Sequence, residues 1–297
     1  MRRELGIYSK DATKKVILGA IRDLTEDEYK EYEKANNEIG FLLTSQDLFS
    51  ILFQNFEEYK SLFEFYSNEY NKNPNIGMFL LAEIKTELNR RIVNYLTSGR
   101  MFTDHIEANI KSNYGEESEQ WKIFKGICNK VYDENFSYRF IYKLRDFVQH
   151  CGLPIDHIKC SSKVVNLQTR EEKHSLQINF DRDSLLQKRS FWEKIYQEMC
   201  ELPKVFNVHD IIAKSMENYI KINLNFVEEN LCIFEKNATI VQKLISEAKL
   251  AAKEKGIDGI ICILNGRPLI NEKKQNLNIG WIHLDLIDIL TDSKSVS

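Results

Sequence analysis

Apolar and aromatic residues recur at three- and four-residue spacing over the first half of the chain, as they do in helices that bury one face. The pattern predicts three long helices, over about 45–73, 76–114 and 116–132. A fourth stripe has clear ends: its helix is predicted to begin after Asn135 and to stop at Gly152, which can adopt the left-handed conformation found just past helix ends. Because the connections are short, an up-and-down bundle is expected.

Beyond Pro154 the pattern changes to the alternation of strands. Residues 158–167 and 175–180 are predicted to form a β-hairpin joined by the polar loop TREEKH. Three more helices are predicted, through 191–199, over 207–230 and over 238–255. At the end of the chain, two short strands are predicted in GIICIL and NIGWIHL, on either side of a turn at 265–268. A last helical turn is predicted at 284–290.

The first 25 residues are the least regular part of the sequence. Residues 11–23 allow either a short strand or a short helix, and Thr25 with Glu28 has the spacing of a capping box that opens a polar helix. The patterns together predict a mainly α protein with three parts. These are an N-terminal segment with a short helix (1–44), a helical bundle (45–156), and a β-hairpin followed by a second helical segment that ends in a small β element (157–297).

Composition agrees with a folded, largely helical protein, since only 12 Gly and 4 Pro occur in 297 residues. The net charge is −3, so any nucleic-acid contact has to come from a local basic patch. The six cysteines include no CxxC pair, which argues against a metal site and favours reduced thiols. No stretch resembles a membrane span or a signal peptide, so we expect a cytoplasmic protein without membrane association.

The sequence Arg-x4-His occurs twice, at Arg145–His150 and at Arg100–His105. Because this spacing alone is weak evidence in a chain of this composition, its context has to decide between the copies. Only the first copy lies at a predicted helix end that is followed by a Gly and a Pro, and only there does an acidic residue, Asp146, follow the arginine. We therefore expect the chemistry of the protein at Arg145 and His150.

These residue types suit cleavage of a phosphodiester. A histidine can remove a proton from a ribose 2′-hydroxyl or donate one to the leaving 5′-oxygen, and an arginine offers a fork of donors to the phosphate. Asp146 lies four residues before His150 and is expected to orient its imidazole. Arg145 and His150 point about 140° apart around the helix, so two copies related by a dyad would form a better site than one.

The sequence from Arg145 to His150, on the last helix of a predicted bundle, resembles the R-x4–6-H motif of the HEPN superfamily, all-helical domains of which many are ribonucleases. The resemblance covers about 45–156. It implies a metal-independent endoribonuclease without a cofactor, active as a homodimer on an RNA substrate. Proteins that resemble this one are often bacterial toxins or antiviral defence effectors, controlled by an inhibitory or activating protein partner.

Other residues near the motif are candidates for supporting roles. We expect Gln149 and His105 to support the site, and five basic or aromatic residues to contact RNA: Arg91, Arg100, Arg139, Tyr142 and Lys143. The same residues also fit a solvated helix face with half-buried tyrosines. The alternative function is a non-catalytic helical module that binds a nucleotide, RNA or a protein partner, and such a module would tolerate loss of His150.

Overall fold

The computed structural model describes residues 3–10, 13–155, 157–256, 259–265 and 278–281. These residues form seven α-helices and seven strands in two small antiparallel sheets, which confirms a mainly α protein. The chain divides into two compact units. The sheet unit comprises Met1–Thr44 and Asn230–Ser297, and the bundle unit comprises Ser45–Glu229.

The helices are α1 (Glu26–Lys72), α2 (Met78–Tyr114), α3 (Glu119–Glu134), α4 (Phe136–His150), α5 (Arg182–Leu186), α6 (Tyr196–Glu201) and α7 (Val208–Lys255). Two 3-10 turns, Arg189–Phe191 and Glu193–Ile195, lie between α5 and α6. The strands are β1 (Arg3–Lys10), β2 (Val16–Asp23), β3 (His157–Asn166), β4 (Glu171–Asp181), β5 (Val205–Asn207), β6 (Ile260–Asn265) and β7 (Asn278–Trp281).

The sheet unit is built on the strand order β2-β1-β6-β7, all antiparallel. Its core joins apolar residues of the strands, such as Leu5 and Ile263, to those of the helices, such as Ala35 and Val241. The capping box is confirmed: the Thr25 backbone N–H donates to the Glu28 carboxylate over 2.8 Å, and the Glu28 N–H donates to the Thr25 hydroxyl over 3.2 Å. The ambiguous residues 11–23 contain strand β2.

The bundle unit packs around the ring of Tyr219 on α7. The rings of Tyr95, Phe102 and Tyr138 lie 5.2–6.5 Å from it, centroid to centroid, and make steep, edge-on contacts. Gly99 permits this approach, because a Cβ there would lie 2.5 Å from the Tyr219 hydroxyl oxygen. The bundle therefore includes part of α7 as well as the four helices that the sequence predicts.

Helix α4 is fixed at both ends. Asn135 ends α3 and begins α4, so the chain turns between the two helices within one residue. After His150 the chain does not use a left-handed glycine, because Gly152 lacks a positive φ, and that part of the prediction is wrong. Instead, the buried amide of Asn89 on α2 bonds both backbone groups of Ile155, accepting over 2.9 Å and donating over 3.2 Å. These two bonds are called the Asn89 clamp below.

Several element boundaries differ from those predicted. The helices predicted over 207–230 and 238–255 are one helix, because residues 231–237 between them include neither Gly nor Pro. The hairpin is confirmed, but its turn is shorter, since Glu171–His174 extend β4. The stretch 191–199 is broken by 3-10 turns rather than continuously helical.

The division into units also differs from the segments 1–44, 45–156 and 157–297, because β1 pairs with β6 from the far end of the chain. The strands expected in GIICIL and NIGWIHL are observed as β6 and β7. The turn expected at 265–268 lies outside the described residues from 266 onward, and the helical turn expected at 284–290 lies outside them entirely.

Candidate functional site

His150 is the last residue of α4, and its side chain is exposed. Its ring lies over the ring of Phe191 in the first 3-10 turn, with centroids 6.1 Å apart and an interplanar angle of 27°. Within the part of the chain that the structure describes, neither ring nitrogen forms a hydrogen bond. The imidazole is therefore held from one face, while both nitrogens remain available to a ligand.

Arg145 is half-buried one and a half turns before His150. Its Nη1 donates to Asp146 Oδ1 over 3.2 Å, and its Nε is buried with no acceptor among the described residues. Asp146 thus pairs with the arginine and not with the histidine that it was expected to orient. Gln149 is exposed and makes no polar contact with a described residue, so the structure shows no support from it.

The second Arg-x4-His copy lies elsewhere on the bundle. The Arg100 guanidinium carbon lies 4.3 Å from the centroid of the Tyr142 ring, and Arg100 Nε pairs with Asp104 over 2.7 Å. This contact and the Asn89 clamp show that α2 and α4 run antiparallel. His105 therefore lies about 20 Å from His150 along the helix axes, and the structure does not bring it to the site.

Two arginines that were expected to contact RNA are engaged inside the protein. Arg139 donates to the backbone oxygens of Tyr132 and Asp133, over 2.5 and 2.6 Å, and to the carboxylate of Glu198 over 2.5 Å. Arg91 on α2 pairs with Glu58 on α1. Both guanidinium groups therefore join elements of the bundle unit, which is the role that their contacts indicate.

A cleft of about 500 Å³ opens beside α4 and is lined by three lysines and three tyrosines, together with Cys128, Asn129 and Asp133. The lysines and tyrosines are Lys125, Lys143, Lys194, Tyr132, Tyr138 and Tyr142. The Tyr132 ring stands nearly perpendicular to the rings of Tyr142 and Tyr138, with centroid distances of 6.0 and 6.5 Å. We call this feature the Tyr/Lys cleft. Sequence reasoning found Tyr142 and Lys143 but missed the cleft residues of α3 and Lys194, because only tertiary folding brings α3 and the second 3-10 turn together beside α4.

Electrostatics distinguish the groups of the cleft. Burial raises the pKa of the Cys128 thiol, which also borders the cleft, to about 12, so this thiol stays neutral and unreactive at physiological pH. Burial also raises the pKa of Tyr138 well above its usual value, so its hydroxyl stays a neutral donor. The charged side chains of the cleft are its three lysines and the acidic Asp133.

No cluster of three or more His, Cys, Asp or Glu side chains suited to a metal ion occurs among the described residues. None of the helices described is long and apolar enough to cross a membrane. Comparison of the chain with protein-family models, with curated proteins and with solved structures gives no match.

Proposed function

We propose that this protein is a metal-independent endoribonuclease that uses Arg145 and His150. The observation that supports the proposal is the state of the two side chains at the end of α4. His150 is exposed with both ring nitrogens unbonded to described residues, and the partly exposed guanidinium of Arg145 bonds among them only to Asp146, through Nη1. A base without a partner and a cation with spare donors are the groups that phosphodiester cleavage requires.

The proposed reaction is transfer of the phosphate to the neighbouring 2′-hydroxyl. Neutral His150 accepts the 2′-hydroxyl proton while the 2′-oxygen attacks phosphorus. The imidazolium that this forms then donates a proton to the leaving 5′-oxygen. Arg145 donates hydrogen bonds to the phosphate oxygens as their charge grows. The products are a 2′,3′-cyclic phosphate and a 5′-hydroxyl, and DNA is not cleaved because it lacks the nucleophile.

We further propose that the active site is composite and is formed by two copies of the chain. Residues 145 and 150 are separated by about 140° around α4, so one helix directs them to different sides. A two-fold axis near the end of α4 places Arg145 of one protomer beside His150 of its partner. A HEPN-like fold of the bundle and control by an inhibitory or activating partner, as in toxins and defence effectors, belong to the same proposal.

The test is cleavage of labelled tRNA and total RNA by the purified protein in excess EDTA. The wild type is expected to cut and to leave 2′,3′-cyclic phosphate ends, whereas folded His150→Ala and Arg145→Ala are expected to be inactive. Full activity of folded His150→Ala would overturn the proposal. So would cleavage of DNA, or cleavage that EDTA abolishes.

A second candidate function is binding without cleavage. It is favoured by the pairing of Asp146 with Arg145, which leaves His150 without the carboxylate that commonly orients a catalytic imidazole. A binding protein would hold RNA or a nucleotide equally well with and without His150. An RNA-binding measurement on His150→Ala, run beside the cleavage assay, separates the two functions.

A further inference from the structure

We propose that the Tyr/Lys cleft binds a nucleotide, with its base against the tyrosine rings and its phosphate on the lysines. The ligand is either a free nucleoside monophosphate or one nucleotide of a single-stranded RNA. As a substrate subsite the cleft rests on the proposed function. As a binding site it does not require cleavage, because none of its six defining residues belongs to the proposed chemistry.

The lysines give the cleft a place for an anionic phosphate. Lys143 and Lys194 form no ion pair with any residue of the described ranges, and they come from α4 and from the second 3-10 turn. Lys125 pairs with Glu107 over 3.6 Å, so its charge is partly compensated. Asp133 also lines the cavity, so the three lysines outnumber its acidic residues and the lining keeps a net positive charge in a chain whose net charge is −3. An anion that enters the cleft can pair with the ammonium groups of Lys143 and Lys194, and no ion pair among the described residues has to break.

The aromatic walls give the cleft surfaces on which a base can stack. The rings of Tyr132 and Tyr142 are only half-buried, unlike that of Tyr138. Arg100 covers one face of Tyr142, which orients that ring and leaves a planar ligand only its other face. Lysines beside half-exposed tyrosines are the combination by which proteins hold single-stranded nucleic acid, since the base stacks while the phosphate binds cations. An acidic peptide would use the lysines but not the rings.

The size of the cleft agrees with one nucleotide. A volume of about 500 Å³ falls within the range of small-ligand pockets, and it is too small for a folded partner to enter. Tyr142 lies on α4 one turn before Asp146, so the cleft adjoins the helix face that leads to Arg145. A strand held in the cleft would thus run toward the end of α4.

The experiment measures binding under conditions where cleavage is impossible. The probe is a short, fluorescein-labelled single-stranded oligonucleotide with 2′-O-methyl riboses, which has no free 2′-hydroxyl, and anisotropy is recorded over a range of salt concentrations. Unlabelled AMP and the unlabelled oligonucleotide compete in separate arms. Displacement by AMP at similar concentration indicates a free nucleotide as the ligand, and displacement by the oligonucleotide alone indicates an RNA strand.

The lysine variants test the cations. Lys143→Gln and Lys194→Gln are each expected to weaken binding about 3- to 10-fold, and to lower the slope of log K against log salt by about 0.7 per lost phosphate contact. Lys122→Gln is the matched control, because Lys122 is exposed on α3, outside the cleft, and is expected to bind within about twofold of wild type. Unchanged affinity and slope in both cleft variants would overturn the proposal.

The tyrosine variants test the stacking. Tyr142→Leu is expected to lose about 10-fold in affinity, and Tyr142→Phe, which keeps the ring, to remain within about twofold. Near-ultraviolet circular dichroism checks that both variants fold. Displacement of the probe by tripolyphosphate or by an acidic peptide as effectively as by the oligonucleotide would show that bases are not recognised. If cleavage fails in every preparation but binding depends on the lysines, the cleft stands and the proposed function falls.

Discussion

The two Arg-x4-His copies share a spacing, an exposed histidine and an arginine paired with an aspartate, but their surroundings differ. On α2, Arg100 is occupied by Asp104 and by the Tyr142 ring, and His105 is a surface residue in mid-helix. On α4, Arg145 keeps a buried donor without an acceptor among the described residues, and His150 lies at a helix end against Phe191. The copies are therefore distinguished by the contacts of the arginine and by the position of the histidine on its helix, since both histidines are exposed.

The largest contrast is expected between the two histidines. His150→Ala should lower RNA cleavage by about 10²–10⁴-fold, the usual contribution of a general acid or base, whereas His105→Ala should stay within about twofold of wild type. Initial rates on labelled tRNA in EDTA measure both. Equal losses in the two variants would show that the copies are equivalent and would remove the distinction drawn between them.

The arginine of the α4 copy should show the next largest effect. Arg145→Ala is expected to cost about 10²–10³-fold in cleavage, because a donor to the developing phosphate charge is lost. If the site is composite, inactive Arg145→Ala and His150→Ala proteins regain about a quarter of wild-type activity when mixed, since only mixed dimers contain one intact site. Recovery on mixing supports a shared site. No recovery, when co-purification of a tagged variant with the untagged one shows that subunits have exchanged, places the site within one chain.

The Asn89 clamp is expected to matter for stability. Asn89→Ala leaves the buried N–H and C=O of Ile155 unpaired and should lower the free energy of unfolding by about 3 kcal/mol. Urea denaturation followed by circular dichroism measures the loss. Asn94→Ala is the control: Asn94 is exposed on the same helix, so its replacement should change stability by less than about 0.5 kcal/mol. Similar losses in the two variants would mean that the clamp contributes nothing.

The smallest effect is expected for the arginine of the α2 copy. Arg100→Leu loses a half-exposed ion pair and a cation–π contact, and should reduce stability by about 1 kcal/mol. The same urea titration detects this change. A loss as large as that of Asn89→Ala would show that Arg100 is structurally more important than its exposure indicates.

Local patterns predict the helices well and tertiary partners poorly. The stripe on α4 and the spacing of Thr25 and Glu28 are properties of neighbouring residues, so the sequence is enough to predict them. The clamp on Ile155 joins residues 66 positions apart, and no periodicity signals such a pair. Because glycine often ends a helix, the sequence predicts the stop at Gly152. In the structure, Asn89 on another helix holds the backbone that follows α4.

The same limit applies to the candidate site. Spacing predicts that Asp146 and His150 share a face, but it does not reveal that Asp146 is already paired with Arg145. Arg139 has the charge of an RNA ligand in the sequence, and it joins α3, α4 and α6 in the structure. The part that sequence predicts is where polar groups lie along an element. Which of them stay unpaired depends on the neighbours that folding supplies.

The clamp has a kinetic consequence for the histidine at the end of α4. Terminal helical turns ordinarily fray on fast timescales, and a catalytic side chain there would spend part of its time away from its substrate. In this chain only four residues separate His150 from Ile155, which is tied to α2. Unwinding of the last turn of α4 is therefore limited by the body of the helix on one side and by Ile155 on the other. Hydrogen exchange at the amides of Cys151 and Ile155 should be slow for a helix terminus. The backbone that carries the imidazole is thereby restrained, while the ring itself remains open to solvent.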